Sequence, residues 1–377
     1  MTSGQESSDR GFADAPGSEI ESLAGVFHPH AIEVQDFSYY ALVIDVRSRE
    51  EYEDDHIPGA VRLEPSPLIA EMQKTHSDDQ AAHVGARTDE GPSDLPEALA
   101  DIVKRVKLDQ AILIYCGAGG RVSLPIAQAL RWRGWTVDVL PGGWINYRRW
   151  VQAGLEVLPR LVTFRIIASS LGCEAARALR ALREVGHQVL DVEGLAGWRR
   201  AALSAPSAPQ PPQAWFESLL LQALRGFDPR IPVWIGDLGP RAGSLSLPGA
   251  VTDALAVTPM AMLQVDAAER VRRWKEDEAL LHAEPSDVIQ AMAALSPALS
   301  SKLLAQWRRL AAKSITDVLL ASVLSDYIDP TYADEAAERS VERHALPALA
   351  VDSLAPSALA ASVRVWLQAP IPGPATG

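Results

Sequence analysis

Cys116 is the residue best placed to do chemistry. It closes the apolar run Ile112-Leu-Ile-Tyr115 and opens the segment Cys116-Gly-Ala-Gly-Gly-Arg121-Val-Ser-Leu-Pro125. A short, β-prone apolar run reads as a buried strand. After the glycines a helical pattern begins, with Val122, Ile126, Ala129 and Leu130 on one face. Pro125 falls in the first turn, where its missing N–H costs little, and Gly134 stops the helix. A thiol is thus expected at the top of a strand, in a loop that feeds a helix N-terminus. Glycine tolerates positive φ. The amides of Gly117, Ala118, Gly119 and Gly120, with Val122 and Ser123 leading into the helix, are therefore expected to turn inward as an anion cradle. The helix end adds positive potential. A thiol held there should ionise easily, and a persulfide or perselenide anion would be held by the same groups. The plainer account is a free core cysteine beside a tight turn. The coincidence of cysteine, glycines, Arg121 and helix start favours the reactive one.

An upstream stretch belongs with this loop. Leu42-Val-Ile-Asp45-Val-Arg47-Ser-Arg-Glu-Glu-Tyr52 precedes His56-Ile-Pro-Gly-Ala60. Asp45 and Arg47 lie at the C-terminal end of a strand, the edge where α/β sites gather. Asp45 is either a turn cap or a residue that helps to fix the active loop. Together the two stretches resemble the paired signature of a rhodanese domain. That resemblance implies a cysteine, after the central strand, that carries sulfur as a persulfide. Four residues separate Cys116 from Arg121, a spacing similar to rhodanese loops sized for sulfur or selenium; related phosphatases use one residue more.

Length and composition set the bounds. A chain of 377 residues should hold two domains, perhaps with tails. With 47% hydrophobic and 22% charged residues it has ordinary globular composition. No apolar run approaches the length that spans a bilayer. The start, Met1-Thr-Ser-Gly-Gln-Glu, lacks the basic-then-apolar pattern of a secretory signal. Two cysteines, Cys116 and Cys173, cannot make a disulfide scaffold or a four-ligand zinc site. No metal is therefore expected, and a reducing cytoplasm is the natural compartment. The net charge of −13 argues against broad attraction to nucleic acid. Any RNA contact needs a local basic patch.

The elements follow in chain order. Residues 1–27 read as a disordered tail, and 28–157 as the first domain. Strands are expected over 41–46 and 137–140, a long loop over 75–96, and helices over 97–107 and 145–155. The last helix carries Tyr147, Arg148, Arg149 and Trp150. Such a cluster can stack on and neutralise RNA, or cap a domain edge with arginine stems packed on tryptophan. Gly142-Gly143 followed by Tyr147-Arg-Arg-Trp150 resembles the end of the rhodanese domain in the tRNA 2-selenouridine synthase family. The resemblance implies a rhodanese domain fused to a P-loop domain. It also implies an activity that replaces the 2-thio sulfur of a wobble uridine with selenium from selenophosphate, by way of a geranylated intermediate.

The second half has the same layout. Thr163 to Ala168 is a strand, Ser169-Ser-Leu-Gly172-Cys-Glu-Ala-Ala176 stands at the P-loop position, and a helix runs over 175–185 with Gly186 as its stop. Strands alternating with helices argue a parallel sheet. The fold class is therefore α/β, a rhodanese-like domain followed by a P-loop-like domain over 160–340, with a C-terminal extension over 341–377. The differences from the family are specific. A working P-loop needs Gly-x-x-x-x-Gly-Lys and then Ser or Thr. Here Gly172 remains, but Glu174 replaces a glycine, Ala175 the lysine and Ala176 the hydroxyl residue. These changes argue against ATP or GTP binding by the usual mode. Cys173 is either a small buried residue or a second, resolving thiol. In the active loop Gly119, Gly120 and Ser123 match the family, while Gly117 and Ala118 replace Trp and Arg, and the arginine falls at 121.

The reading is a chalcogen transferase in which Cys116 accepts sulfur or selenium, Arg121 adds charge and Asp45 orients the loop. Its co-substrate is selenophosphate or a persulfide carrier, and by resemblance its acceptor is tRNA. Arg308 and Arg309, and the run Arg272-Arg-Trp-Lys275, are the other places where RNA could be gripped, or else solvated helix faces. A sulfurtransferase with a non-tRNA acceptor and a non-enzymatic binding paralogue are the alternatives.

Overall fold

The computed structural model describes residues 37–65, 95–170, 173, 175–198, 209–276, 299–332 and 346–369, with 286, 289, 290, 292 and 293. The expected tail over 1–27, most of the expected loop over 75–96, Gly172, Glu174 and the Pro/Gly-rich end lie outside the described residues. The chain divides into two units, residues 1–150 and 151–377.

The first unit is built on a parallel sheet. Its elements are β1 (Leu42–Asp45), α1 (Arg49–Asp54), β2 (Val61–Arg62), α2 (Glu97–Val103), β3 (Ala111–Tyr115), α3 (Ser123–Trp132), β4 (Thr136–Val139) and the start of α4 (Gly143–Leu161), a helix that runs on past residue 150. The strand order is β2-β1-β3-β4, with every pair parallel. β3 is buried at all five positions, as an apolar strand flanked on both sides must be. Its C-terminal end, where Cys116 follows, therefore lies in the middle of the sheet edge. α3 buries Ile126, Ala127, Ala129 and Leu130 against the sheet. Gly134 ends it at φ +94°, a conformation that suits glycine. α1 is closed by a capping box. The Glu51 N–H donates to Ser48 Oγ, and the Ser48 N–H donates to Glu51 Oε2 at 3.0 Å.

Two helices differ from the sequence expectation. α2 stops at Val103 rather than 107. α4 starts earlier and ends later than 145–155, continuing through Pro159 to Leu161. Tyr147, Val151 and Leu155 are buried at four-residue spacing, so packing carries the helix past the positions where glycine and proline argue for a stop.

The second unit comprises β5 (Phe164–Ala168), α5 (Ala175–Glu184), β6 (Gln188–Leu190), α6 (Val192–Leu195), α7 (Gln213–Arg225), β7 (Val233–Gly236), β8 (Arg241–Ala242), β9 (Leu245–Ser246), α8 (Gly249–Ala256), β10 (Met260–Val265), α9 (Ala267–Glu276), α10 (Ser301–Ala312), α11 (Thr316–Val323), β11 (Leu349–Val351) and α12 (Pro356–Leu367). Its five-stranded sheet has the order β11-β10-β5-β7-β6, all parallel. β5 is central, and the loop after it sits where the strand order reverses, the usual position of an α/β ligand site. β8 and β9 form a separate antiparallel pair. Between α9 and β11, a satellite core gathers Val271, Trp274, Trp307, Leu319, Leu320 and Val323.

The expected C-terminal extension is part of this unit. β11 pairs with β10, and α12 buries Leu359, Ala360, Val363 and Trp366 in the same cluster as Leu179 and Leu182 of α5. Glu269 fastens the join. Its carboxylate accepts from Arg272 and from the Leu354 N–H at 2.7 Å, which holds it down to about 2. Leu359→Ala should cost about 2–4 kcal/mol, read as a lower urea midpoint by tryptophan fluorescence. An unchanged midpoint would place α12 outside the core.

Candidate active site

The site begins behind the cysteine. Tyr115, the last residue of β3, is fully buried. Its hydroxyl donates to Asp45 Oδ2 at 2.7 Å and accepts from the Ile57 N–H at 3.1 Å. Asp45 also takes two prongs from Arg47, Nε at 3.0 Å and the terminal nitrogen at 2.6 Å, as well as the Arg47 N–H at 3.0 Å. Arg47 reaches on to the Asp55 carbonyl at 2.5 Å, and its guanidinium lies 4.8 Å from the centre of the Trp144 ring. The His-Ile-Pro-Gly-Ala stretch is clamped to the same frame, since Tyr52 donates through its hydroxyl to the Ala60 carbonyl at 2.7 Å. His56 stacks on Tyr52 at 3.9 Å, and burial holds its imidazole below the ordinary value.

Cys116 follows directly and is 5% exposed. Gly119 and Gly120 take left-handed φ values of +69° and +72°, turning the chain from strand to helix in a few residues. The sulfur has two polar partners. Its thiol donates to the Ala118 carbonyl at 3.5 Å, and the buried Ser123 hydroxyl donates to it at 3.4 Å. Gly117 is half-buried, and Ala118, Gly119 and Arg121 are exposed. On its other side the loop is held by α4. The Cys116 carbonyl accepts from the Trp144 N–H at 2.8 Å and the Gly117 carbonyl from Ile145 at 3.2 Å.

The expectation that all the loop amides converge needs correcting at one peptide. At Ala118 a carbonyl, not an amide, faces the sulfur, because a protonated thiol is a donor and takes an acceptor. Asp45, expected as a turn cap or a residue that fixes the loop, meets the loop indirectly. It is fully buried, with its oxygens held by Arg47 and Tyr115. It therefore acts on the loop through Tyr115 rather than by touching Arg121 or the sulfur. The residues missed from sequence are Tyr115, Ser123 as a direct sulfur partner, and Gly143. Gly142-Gly143 was the available signal for the last.

The expected RNA contacts are mostly committed elsewhere. Tyr147 is buried, edge-on to Phe37 and tilted against Trp150, so its ring is not open to a base. Arg148 pairs with buried Asp55 at 3.3 Å. Arg272 and Arg273 bind Glu269 and Glu276, Lys275 binds Asp317, and Trp274 is buried. Arg149, Arg308 and Arg309 remain exposed.

At the P-loop position of the second unit, Ala175 opens α5. Cys173 is buried beside Ser170, with 3.4 Å between sulfur and hydroxyl, and burial pushes its thiol up. Arg270 holds Asp329 through two bonds of 2.9 Å. The Tyr332 hydroxyl donates to Asp237 at 3.4 Å.

Comparison with known proteins matches both halves. Residues 32–149 fit the family model described as Rhodanese-like domain, and residues 162–321 the one described as tRNA 2-selenouridine synthase AAA domain. The chain carries a rhodanese-like domain followed by a tRNA 2-selenouridine synthase AAA domain. Among the proteins it resembles is the tRNA 2-selenouridine synthase of Nitrosomonas europaea, 27% identical over 254 residues, 62% of this chain and 63% of that one. Proteins of the same name from Hydrogenovibrio crunogenus and Cronobacter sakazakii are 28% and 25% identical over 247 residues, covering 67% and 64% of their lengths. The chain thus spans a little under two thirds of the first of these. In the rhodanese-like domain the cysteine loop follows the central strand. In the AAA domain the loop after β5 carries Cys173, with Ala175 at the head of the helix. Among the described residues no helix is long and apolar enough to cross a membrane.

Tyr115 links this geometry to pH. Burial first, and then the Asp45 charge, push its hydroxyl up. The folded chain therefore keeps that proton where the unfolded chain, with tyrosine near about 10, releases it. Above that value the unfolded state binds fewer protons, so stability falls as pH rises. Tyr115→Phe should cost about 1–3 kcal/mol at neutral pH and flatten the alkaline fall. Urea midpoints from pH about 8 to about 11, wild type against variant, read both effects.

Proposed function

We propose that this chain is a chalcogen transferase acting through Cys116, with tRNA as the acceptor, as named for its relatives. The observation that carries the reading is the place of Cys116. It ends the central strand, rests on a buried ionic frame and enters a loop with two left-handed glycines at a helix start. In the sulfur case the Cys116 thiolate attacks the outer sulfur of a sulfane donor such as thiosulfate. A sulfur–sulfur bond forms on Cys116, the donor's own bond to that sulfur breaks, and sulfite leaves with the electron pair. The terminal sulfur is then handed to the acceptor and the thiolate returns. The loop amides and the α3 end stabilise the anion, the Ser123 hydroxyl touches the inner sulfur, and exposed Arg121 attracts the charged donor. By resemblance the selenium reaction takes selenophosphate as co-substrate and a wobble thiouridine as acceptor.

The AAA domain takes no step in this reading. A nucleotide polyphosphate needs a lysine and a hydroxyl at the head of the first helix, and the chain presents Ala175 and Ala176 there. The nearby cation Arg270 is already held by Asp329. These residues do not fit ATP or GTP.

A second reading, a sulfurtransferase with a non-tRNA acceptor, is favoured by the burial of Tyr147 and the carboxylate pairs of Arg148, Arg272 and Arg273. One experiment addresses the chemistry and one the acceptor. After incubation with thiosulfate, intact mass should show a sulfur adduct on wild type that Cys116→Ser lacks. No Cys116-dependent adduct would end the proposal. In a gel shift with total tRNA, a tRNA enzyme should bind and lose affinity as salt rises; absence of a shift would favour the second reading.

A further inference from the structure

The two hydrogen bonds between α4 and the cysteine loop have a direction that matters for the sulfur. Trp144 N–H donates to the carbonyl of Cys116 and Ile145 N–H to that of Gly117, at 2.8 and 3.2 Å. No peptide bond among the described residues is cis, and in a trans peptide the N–H points opposite to its own C=O. With both carbonyls anchored on α4, the N–H groups of Gly117 and Ala118 point away from that helix. The first N–H groups of a helix have no intrahelical acceptor. Here two of them are satisfied by the loop, and each peptide unit so held continues the helix dipole outward by one step. The next peptide has the opposite sense, since the Ala118 carbonyl accepts a hydrogen bond from the thiol. Gly143 permits the approach. Its φ is +59°, and a Cβ there would lie 2.3 Å from the Cys116 carbonyl oxygen and 3.0 Å from that of Gly117, closer than side chains pack.

Resting on the reading of Cys116 as a sulfur carrier, we propose that the first turn of α4 is the positioning element of the cysteine loop. By gripping the carbonyls of Cys116 and Gly117, it sets the Gly117 and Ala118 amides as the fixed donors for a terminal sulfur anion on Cys116. Gly143 and the N–H groups of Trp144 and Ile145 are positioning groups; none touches the reacting atoms. They align donors before any charge appears, which is where electrostatic stabilisation gains most.

Two variants of the full chain test this. In the first, residue 145 carries the α-hydroxy acid analogue of isoleucine, so an ester oxygen replaces the N–H and the side chain, 45% exposed, is unchanged. In the second, Gly143→Ala pushes a methyl toward the Cys116 carbonyl. Far-UV circular dichroism checks the fold. Iodoacetamide alkylation, followed on the Cys116 peptide by mass across pH, reports the thiolate. Thiosulfate loading at varied donor concentration separates kcat from KM. The ester variant should keep the wild-type spectrum, alkylate about tenfold more slowly at neutral pH, and lose kcat with KM unchanged. Gly143→Ala should do the same more strongly, and if it misfolds the ester variant decides alone. A wild-type alkylation profile in the ester variant overturns the proposal. Alkylation needs no donor. A wild type that alkylates normally but takes no sulfur therefore counts against the sulfur-carrier reading and leaves this one standing on its own readout.

Discussion

A buried carboxylate shared between an arginine and a tyrosine is the constraint on which the first unit depends. Asp45, Arg47 and Tyr115 are all buried, and each is satisfied by the others. An ion pair of this kind is a poor source of net stability, because two charges lose their water. Its worth is geometric. Removing one partner strands a charge, so the three side chains persist in a single arrangement, and that arrangement connects β1, the segment before β2 and the end of β3. Cys116 is the next residue. Its position is thus set from behind by charge and from in front by α4, while Ala118 and Gly119 stay exposed.

The second unit uses polar residues differently. At the place where an α/β fold of this order would cradle phosphate, the described side chains face one another. Arg270 grips Asp329, Tyr332 reaches Asp237, and Cys173 settles beside Ser170. Ala175, not a lysine, stands at the head of α5. Fold and site are separable here.

How far the sequence could be read follows from the range of each interaction. Strands, the α3 stop at Gly134 and the parallel sheets were legible because hydrophobic period and glycine position are local signals. The place of Cys116 at the end of β3 was legible because its loop is contiguous. Tyr115 was not, since its partners Asp45 and Ile57 are distant in sequence, and an aromatic in an apolar strand looks like core. The burial of Tyr147 was hidden for the same reason, because a basic-aromatic cluster reads alike whether its rings face solvent or Phe37 and Trp150. α4 ran past Pro159 because tertiary packing overrode local propensity. The C-terminal segment looked like an appendage because nothing in residues 349–367 names β10 and α5 as their neighbours.

That last arrangement bears on how the chain is made. The first unit's strands are complete by Val139, and helix α4 follows at once. In the second unit β10 ends at Val265, but its outer neighbour β11 begins only at Leu349. At roughly 5–20 residues per second, a ribosome takes on the order of ten seconds to cover that gap. Throughout it, β10 offers a bare row of amides and carbonyls to any passing strand. The nascent second unit is therefore adhesive until β11 has emerged, whereas the first unit can close long before.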